Sequence, residues 1–209
     1  MRKKIFFITV PMLPESELKT LKYVYENGSG DFSSPTRFPG MAMLEKHFPE
    51  NEPVKIVTAR TDTKNGFSDN NYFLFKNELA SLSEKNGRKL TVQSELIIPD
   101  AEDSRKQKTF LRELCDQFDE KCDIYMDLTY GTKVTSIGMF SSLVYAEKIQ
   151  KCLIKEIVYG KYGHDGADEG VLYDISPLYN ISMLINAAAL MPKKNMKYLL
   201  DTIAETTGN

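Results

Sequence analysis

Tryptophan is absent from this chain, histidine occurs only twice and cysteine three times. His47 stands in Leu44-Glu45-Lys46-His47-Phe48-Pro49, a pattern that ends a helix, where it reads as a C-terminal cap favoured by the dipole. A Ser-His-Asp or Cys-His mechanism would therefore rest on His164 alone, which argues against that class of enzyme. Cys115, Cys122 and Cys152 are odd in number and lack a CxxC pair, so they read as small buried apolar side chains; neither a disulfide nor a metal site is expected, and no cofactor. The formal net charge is only −2, which gives the molecule no electrostatic reason to coat duplex nucleic acid; a polyanion must find a local positive pocket. No stretch approaches the ~18 uninterrupted apolar residues of a membrane helix, although Ile181 to Met191 is markedly apolar. The basic head of MRKKIFFITV is followed by an apolar run that Pro11 ends, with no small-residue cleavage site, so it reads as a first strand. A soluble, cytoplasmic protein is expected.

What is present fits a folded α/β chain. Hydrophobic residues make up 42% and charged residues 27%, a globular balance that leaves little room for disorder. Ile5 to Val10, Val54 to Thr58, Leu90 to Ile98, Asp123 to Thr129 and Leu153 to Gly160 are short apolar runs bounded by turn or charged residues, which predicts strands. Between them Tyr72, Phe75, Leu79 and Leu82 recur at helical spacing, as do Phe110, Leu111, Leu114, Cys115 and Phe118. Strands alternating with helices of this length predict a doubly wound, mainly parallel sheet of Rossmann-like type. Two segments break the alternation. Pro11 to Pro35 carries Gly28-Ser29-Gly30 and Ser33-Ser34-Pro35 and reads as one long mobile loop, of the kind that is usually functional. Gly163 to Gly170 is a turn signal before Val171 to Ile175, which predicts a C-terminal hairpin with an antiparallel strand. Beyond it, Ser176-Pro177 starts a long helix with Leu178, Ile181, Leu184, Ile185 and Ala188 as its buried stripe. Met196, Leu199, Leu200 and Ile203 mark a short last helix, so the expected division is a domain over 1–191 and an extension over 192–209.

The sharpest chemical signal follows the fourth of these strands, in Tyr125-Met126-Asp127-Leu128-Thr129-Tyr130-Gly131-Thr132-Lys133. A strand ending in Thr-x-Gly-Thr-Lys before a helix gathers backbone amides, two hydroxyls and a lysine at a positive helix start, which is a way to hold phosphate. It is neither a Walker loop nor a GxGxxG turn. The plainer reading stands beside it: Gly131 as a tight turn, Thr132 as an N-cap and Lys133 as a solvated first-turn residue. Lysine in a first turn is nevertheless electrostatically misplaced without an anion nearby. Asp127, inside the strand, reads as an orienting group for backbone or hydroxyls and not as a metal ligand.

Asp127-Leu128-Thr129-Tyr130-Gly131-Thr132-Lys133 resembles the signature of the CRISPR-associated Rossmann-fold (CARF) domains, with Ser136-Ile137-Gly138-Met139-Phe140-Ser141-Ser142 as the small, apolar helix after it. Ser34 to Gly40 is similar to the segment that opens the family's first helix, and Tyr173 to Leu178 to its final strand and helix start. The resemblance covers Lys4 to about Met191. It implies a homodimer that binds a cyclic oligoadenylate of four or six units across its two-fold axis, in a type III CRISPR antiviral response, acting either as a stand-alone protein or with a fused or separate effector domain. A pseudo-symmetric ligand suits an isologous interface. Thr129, Tyr130, Gly131, Thr132 and Lys133 match the family's second motif, and Thr9, Val10 and Pro11 the position of its first, where Pro11 replaces the usual small or hydroxyl residue. Arg37 is a candidate basic gate over the ligand or, equally, a solvated residue before a helix.

Two other functions compete with a sensor. A ring nuclease would cleave the messenger by attack of a ribose 2′-hydroxyl on the adjacent phosphate, without metal, with Lys133 or Thr132 stabilising the developing charge and a 2′,3′-cyclic phosphate as product. A flavodoxin-like nucleotide-binding protein with no CRISPR connection is the third.

Overall fold

The computed structural model describes residues 2–28, 34–61, 64–98, 104–161 and 169–190, together with 197, 198 and 201. In chain order the elements are β1 (Lys4–Val10), β2 (Lys22–Tyr25), α1 (Pro39–Lys46), β3 (Val54–Thr61), α2 (Phe67–Lys85), β4 (Val92–Ile98), α3 (Ser104–Cys115), β5 (Asp123–Asp127), α4 (Lys133–Lys148), β6 (Leu153–Lys161), β7 (Glu169–Asp174) and α5 (Ser176–Ala188). The chain divides into two compact units, Met1–Asp174 and Ile175–Asn209. The turn over 163–168, His164 and most of the expected last helix lie outside the described residues.

In the first unit seven strands form one sheet, ordered β2-β7-β6-β5-β1-β3-β4. β6, β5, β1, β3 and β4 run parallel, and β7 returns antiparallel to β6 as the hairpin pattern predicted. Counted in chain order from the β4 edge, the parallel strands run 3-2-1-4-5, the Rossmann order. A flavodoxin-like sheet would run 2-1-3-4-5, an order this sheet does not have.

Burial follows strand position. On central β1, Ile5, Phe6, Phe7, Ile8 and Val10 are all covered, as a strand with helices over both faces must be. Phe6, Ile8 and Val10 join the core under α1 and α2, while the Phe7 ring lies 5.0 Å from Phe118, just past α3. At the β4 edge, by contrast, Gln93, Glu95 and Ile97 alternate outward. Phe75, Leu79 and Leu82 of α2 and Phe110 and Leu114 of α3 form the buried stripes that their spacing predicted, whereas Leu111 is exposed.

Two expectations are corrected. The stretch from Pro11 to Pro35 is not one long loop: it holds a 3-10 turn at Glu15–Glu17 and strand β2, which pairs parallel with β7 through Lys22↔Glu169 and Tyr25↔Leu172. Leu21 also bridges Thr36. Four residues, Lys-Tyr-Val-Tyr, are too short to stand out from the surrounding glycine and serine, yet their alternation buries Tyr23 and Tyr25. In the second unit, α5 starts at Ser176-Pro177 as expected but leaves Leu178, Leu184 and Ile185 exposed, with no other complete element described in that unit to cover them.

A buried carboxylate fastens β2 and the end of α1 to the sheet. Glu156 on β6 accepts from the Tyr25 hydroxyl at 2.7 Å through Oε2, with His47 Nε2 3.0 Å from the same oxygen and Lys46 Nζ 2.8 Å from Oε1. The Lys46 ammonium also lies 3.6 Å over the Tyr25 ring. Burial raises the Glu156 pKa, but the hydrogen bonds from His47, Lys46 and Tyr25 outweigh it and hold the group below the ordinary glutamate range. Burial and the same carboxylate push the Tyr25 phenol well up.

A depressed folded-state pKa contributes stability above the unfolded value of ~4.3 and loses it as pH falls through the folded value. Glu156→Gln is therefore expected to cost about 1.5–3 kcal/mol at pH 7, with the gap to wild type narrowing as pH falls below about 4. Urea unfolding midpoints across that range check it; a gap independent of pH contradicts it.

Candidate functional site

In a sheet of this order, ligands collect at the carboxyl ends of the strands where the order reverses, between β1 and β5. The residues there are Thr9 to Pro11 from β1 and Asp127 to Lys133 from β5 and its turn. Asp127 is completely buried. Its Oδ2 accepts from the Thr9 N–H at 3.2 Å and the Thr9 hydroxyl at 2.9 Å, and its Oδ1 accepts from the Thr129 N–H at 2.9 Å and the Thr129 hydroxyl at 2.5 Å. The two hydroxyls pass the connection on: Thr9 Oγ1 accepts from the Tyr130 N–H at 3.0 Å and Thr129 Oγ1 from the Gly160 N–H on β6 at 2.8 Å. One carboxylate thus ties together the ends of β1, β5 and β6. Burial pushes its pKa up, and the donors of Thr129 and Thr9 act against that shift.

The start of α1 seats on this hub. A Cβ at Gly40 would stand 2.7 Å from Ile8 Cγ2 and 2.9 Å from Asp127 Oδ2, so only glycine lets the helix come down this far. The positive end of α1 then lies beside a carboxylate, which favours both.

The turn after β5 diverts the chain into α4. β5 ends at Asp127, two residues earlier than its apolar run predicted, because the Thr129 N–H turns to the Asp127 side chain. Gly131 adopts φ 107°, a left-handed value that favours glycine. Thr132 is the N-cap of α4: its Oγ1 accepts from the Thr135 N–H at 3.2 Å and lies 2.9 Å from the Thr135 hydroxyl. Lys133 opens the helix, exposed and without an ion-pair partner among the described residues, and no acidic residue stands in that first turn. The first-turn N–H groups of α4, the charge of Lys133 and the helix dipole meet at one exposed place, an arrangement suited to phosphate.

The motif residues therefore separate into two layers. Thr9, Val10, Pro11 and Tyr130 are buried and Thr129 is partly so, with both threonine hydroxyls already engaged by Asp127. Gly131, Thr132 and Lys133 form the accessible rim. Arg37 is brought near through its backbone, whose carbonyl accepts from the Tyr130 hydroxyl at 3.2 Å. Its guanidinium, however, donates to Glu78 Oε1 on α2 at 2.9 Å, which directs it into a groove of about 380 Å³ shared with Met41, Glu45 and Lys85. A second groove, of about 560 Å³, lies beside Leu79, Ala80, Leu90 and Val92. Neither is lined by the motif residues of β1 or β5, which stand at the carboxyl ends of those strands. No three His, Cys, Asp or Glu residues come together as a metal-holding group among the described residues.

Reading the sequence missed Gly40 and Asn71. The Asn71 side chain on α2 is buried and donates to Pro11 O at 2.9 Å and Leu13 O at 2.8 Å, holding the chain as it leaves β1. The glycine in Phe38-Pro39-Gly40 was visible, but its close approach to Asp127 is a property of the packed sheet. No family model and no curated protein matches the chain.

Asp127→Asn keeps the shape of the hub but turns one acceptor into a donor facing a buried N–H, a mismatch that costs about 1–3 kcal/mol. The loss is expected in chemical denaturation and should exceed that of Lys133→Ala, whose side chain is exposed. Equal stabilities for the two variants contradict the hub.

Proposed function

We propose that the chain is a sensor that binds a cyclic oligoadenylate, cyclic tetra-adenylate first among them, across a homodimer in a type III CRISPR antiviral response. The observation that carries this reading is the Gly131-Thr132-Lys133 turn, with a lysine unpaired among the described residues at the start of α4 beside the reversal of strand order. The hub beneath it supports a rigid anion site, because the Thr129 and Tyr130 N–H groups are fixed by Asp127 and Thr9.

The outer side of α4 supports the dimer. Val134, Ile137, Val144 and Tyr145 are exposed there, where a helix facing solvent carries a polar stripe. Gly138 lies on the same helix, and a Cβ on it would touch nothing within 4 Å. A mid-helix glycine costs ~0.5–1 kcal/mol relative to alanine, and packing among the described residues supplies no reason for it. Close approach of a second copy does.

Binding is favoured over cleavage. The Thr9 and Thr129 hydroxyls are engaged by Asp127 and Thr132 caps α4, which leaves Lys133 as the freest side chain of the motif to act on a phosphate.

Lys133→Ala is expected to weaken cyclic tetra-adenylate binding by about 1.5–3 kcal/mol for each charge-assisted contact, and by twice that in a two-fold site, without loss of fold. Calorimetry reads the change, and an unchanged affinity contradicts the assignment. Light scattering should give about twice 23.8 kDa for the wild type and 23.8 kDa for Ile137→Asp. A monomeric wild type, with and without ligand, contradicts the shared site.

A further inference from the structure

At the opposite ends of β5 and β6 from the candidate site, two cysteines stand side by side. Asp123 pairs with Leu153 in the parallel ladder, so the residues just before them, Cys122 and Cys152, face one another where the two strands begin. Adjacent strands lie ~4.8 Å apart, within the Cα separation that a disulfide spans. The thiols are free and buried, 0% and 2% exposed, with Sγ···Sγ 3.1 Å. Both also point at one acceptor, Asp119 O, at 3.1 and 3.2 Å. Each cysteine follows a lysine held in the left-handed region, Lys121 at φ 55° and Lys151 at φ 57°. The Lys121 N–H donates to Gln150 O and the Leu153 N–H to Cys122 O, so backbone bonds on both sides of the pair hold the two chains together. Two bulky residues in a conformation they seldom adopt, each delivering a cysteine to the same point, mark a built pairing and go beyond the filling of space.

We propose that Cys122 and Cys152 are a reversible dithiol–disulfide pair, a modification site that fastens the start of β5 to the start of β6. The oxidant is a hydroperoxide, small enough to reach a buried thiol through local opening. One thiolate attacks the peroxide oxygen, the O–O bond breaks, and sulfenic acid and hydroxide form. The second thiol's sulfur then attacks the sulfenic sulfur and the S–O bond breaks. The second thiol's proton leaves with the departing oxygen as water. Overall two thiols and one hydrogen peroxide give one disulfide and two waters, so the dithiol loses two electrons and the peroxide gains them. Burial, first of all, and the neighbouring Cys152 hold the Cys122 thiol well above its ordinary pKa, which makes the first step slow. This inference does not depend on what the candidate site binds.

The test uses the full chain. It is treated with hydrogen peroxide, unfolded, alkylated with iodoacetamide and weighed intact, with peptide mapping of the link. The expected result is two fewer alkyl groups than in the reduced protein, a linked Cys122–Cys152 peptide, and restoration of all three alkylations by dithiothreitol. Cys115→Ala should leave the link intact, and the oxidised wild type should melt above the reduced form. Three free thiols after oxidation, a link through Cys115, or separate sulfinic acids at Cys122 and Cys152 would each overturn the proposal. Because wild type and Cys115→Ala carry the readout, it stands even where Cys122→Ala or Cys152→Ala fails to fold.

Discussion

Four hydrogen bonds to one buried carboxylate hold the candidate-site end of the sheet together. Without Asp127, the Thr9 and Thr129 N–H groups would lose their acceptor at the point where the parallel strands diverge. A buried donor left unpaired costs about 1–3 kcal/mol, a large share of a domain's net stability. The same carboxylate fixes where the chain leaves β5, and so where α4 begins and where Lys133 stands. Helix α1 is anchored electrostatically at both ends: its positive start meets Asp127, and Lys46 and His47 at its close meet Glu156. This is the sense of the helix dipole, with an anion at the start and the Lys46 ammonium at the end.

Much of this architecture was legible in the residues. The parallel strands announce themselves because central strands are apolar on both faces, and Ile5 to Val10 is such a run. The role of Asp127 was legible too, since an acid inside an apolar strand just before a Thr-x-Gly turn has few partners except hydroxyls and amides. Strand β2 was not, because four residues paired only to β7 are recruited by tertiary contact and carry little signal of their own. The division of labour in the motif was also hidden. Sequence alone presents Thr9, Thr129, Thr132 and Lys133 together as ligand contacts, with Thr132 and Lys133 also as candidates to act on a phosphate, and only the packed sheet separates hydroxyls turned inward to Asp127 from a rim turned outward. Likewise the cysteine spacing gave no sign of a pair, because Cys122 and Cys152 meet through the register of two strands and not through a local motif.

The two layers explain how one short turn can be both rigid and open. The threonines beneath it are fixed by the carboxylate, so under the proposed function the outer amides and Lys133 would need little reordering on binding an anion, and preorganisation of this kind reduces the entropic cost of binding. The apolar outer side of α4 begins at the same turn, with Val134 directly after Lys133. A second copy packed there would bring two such turns close together about a two-fold axis, each supplying half of the anion-binding surface.

The central claim is that the turn is half of a shared site, and stoichiometry tests it most directly. Calorimetric titration of the wild-type chain with cyclic tri-, tetra- and hexa-adenylate in turn is expected to give saturable binding of at least one ring size at one ligand per two chains. One ligand per chain, or no binding of any ring size, would contradict it.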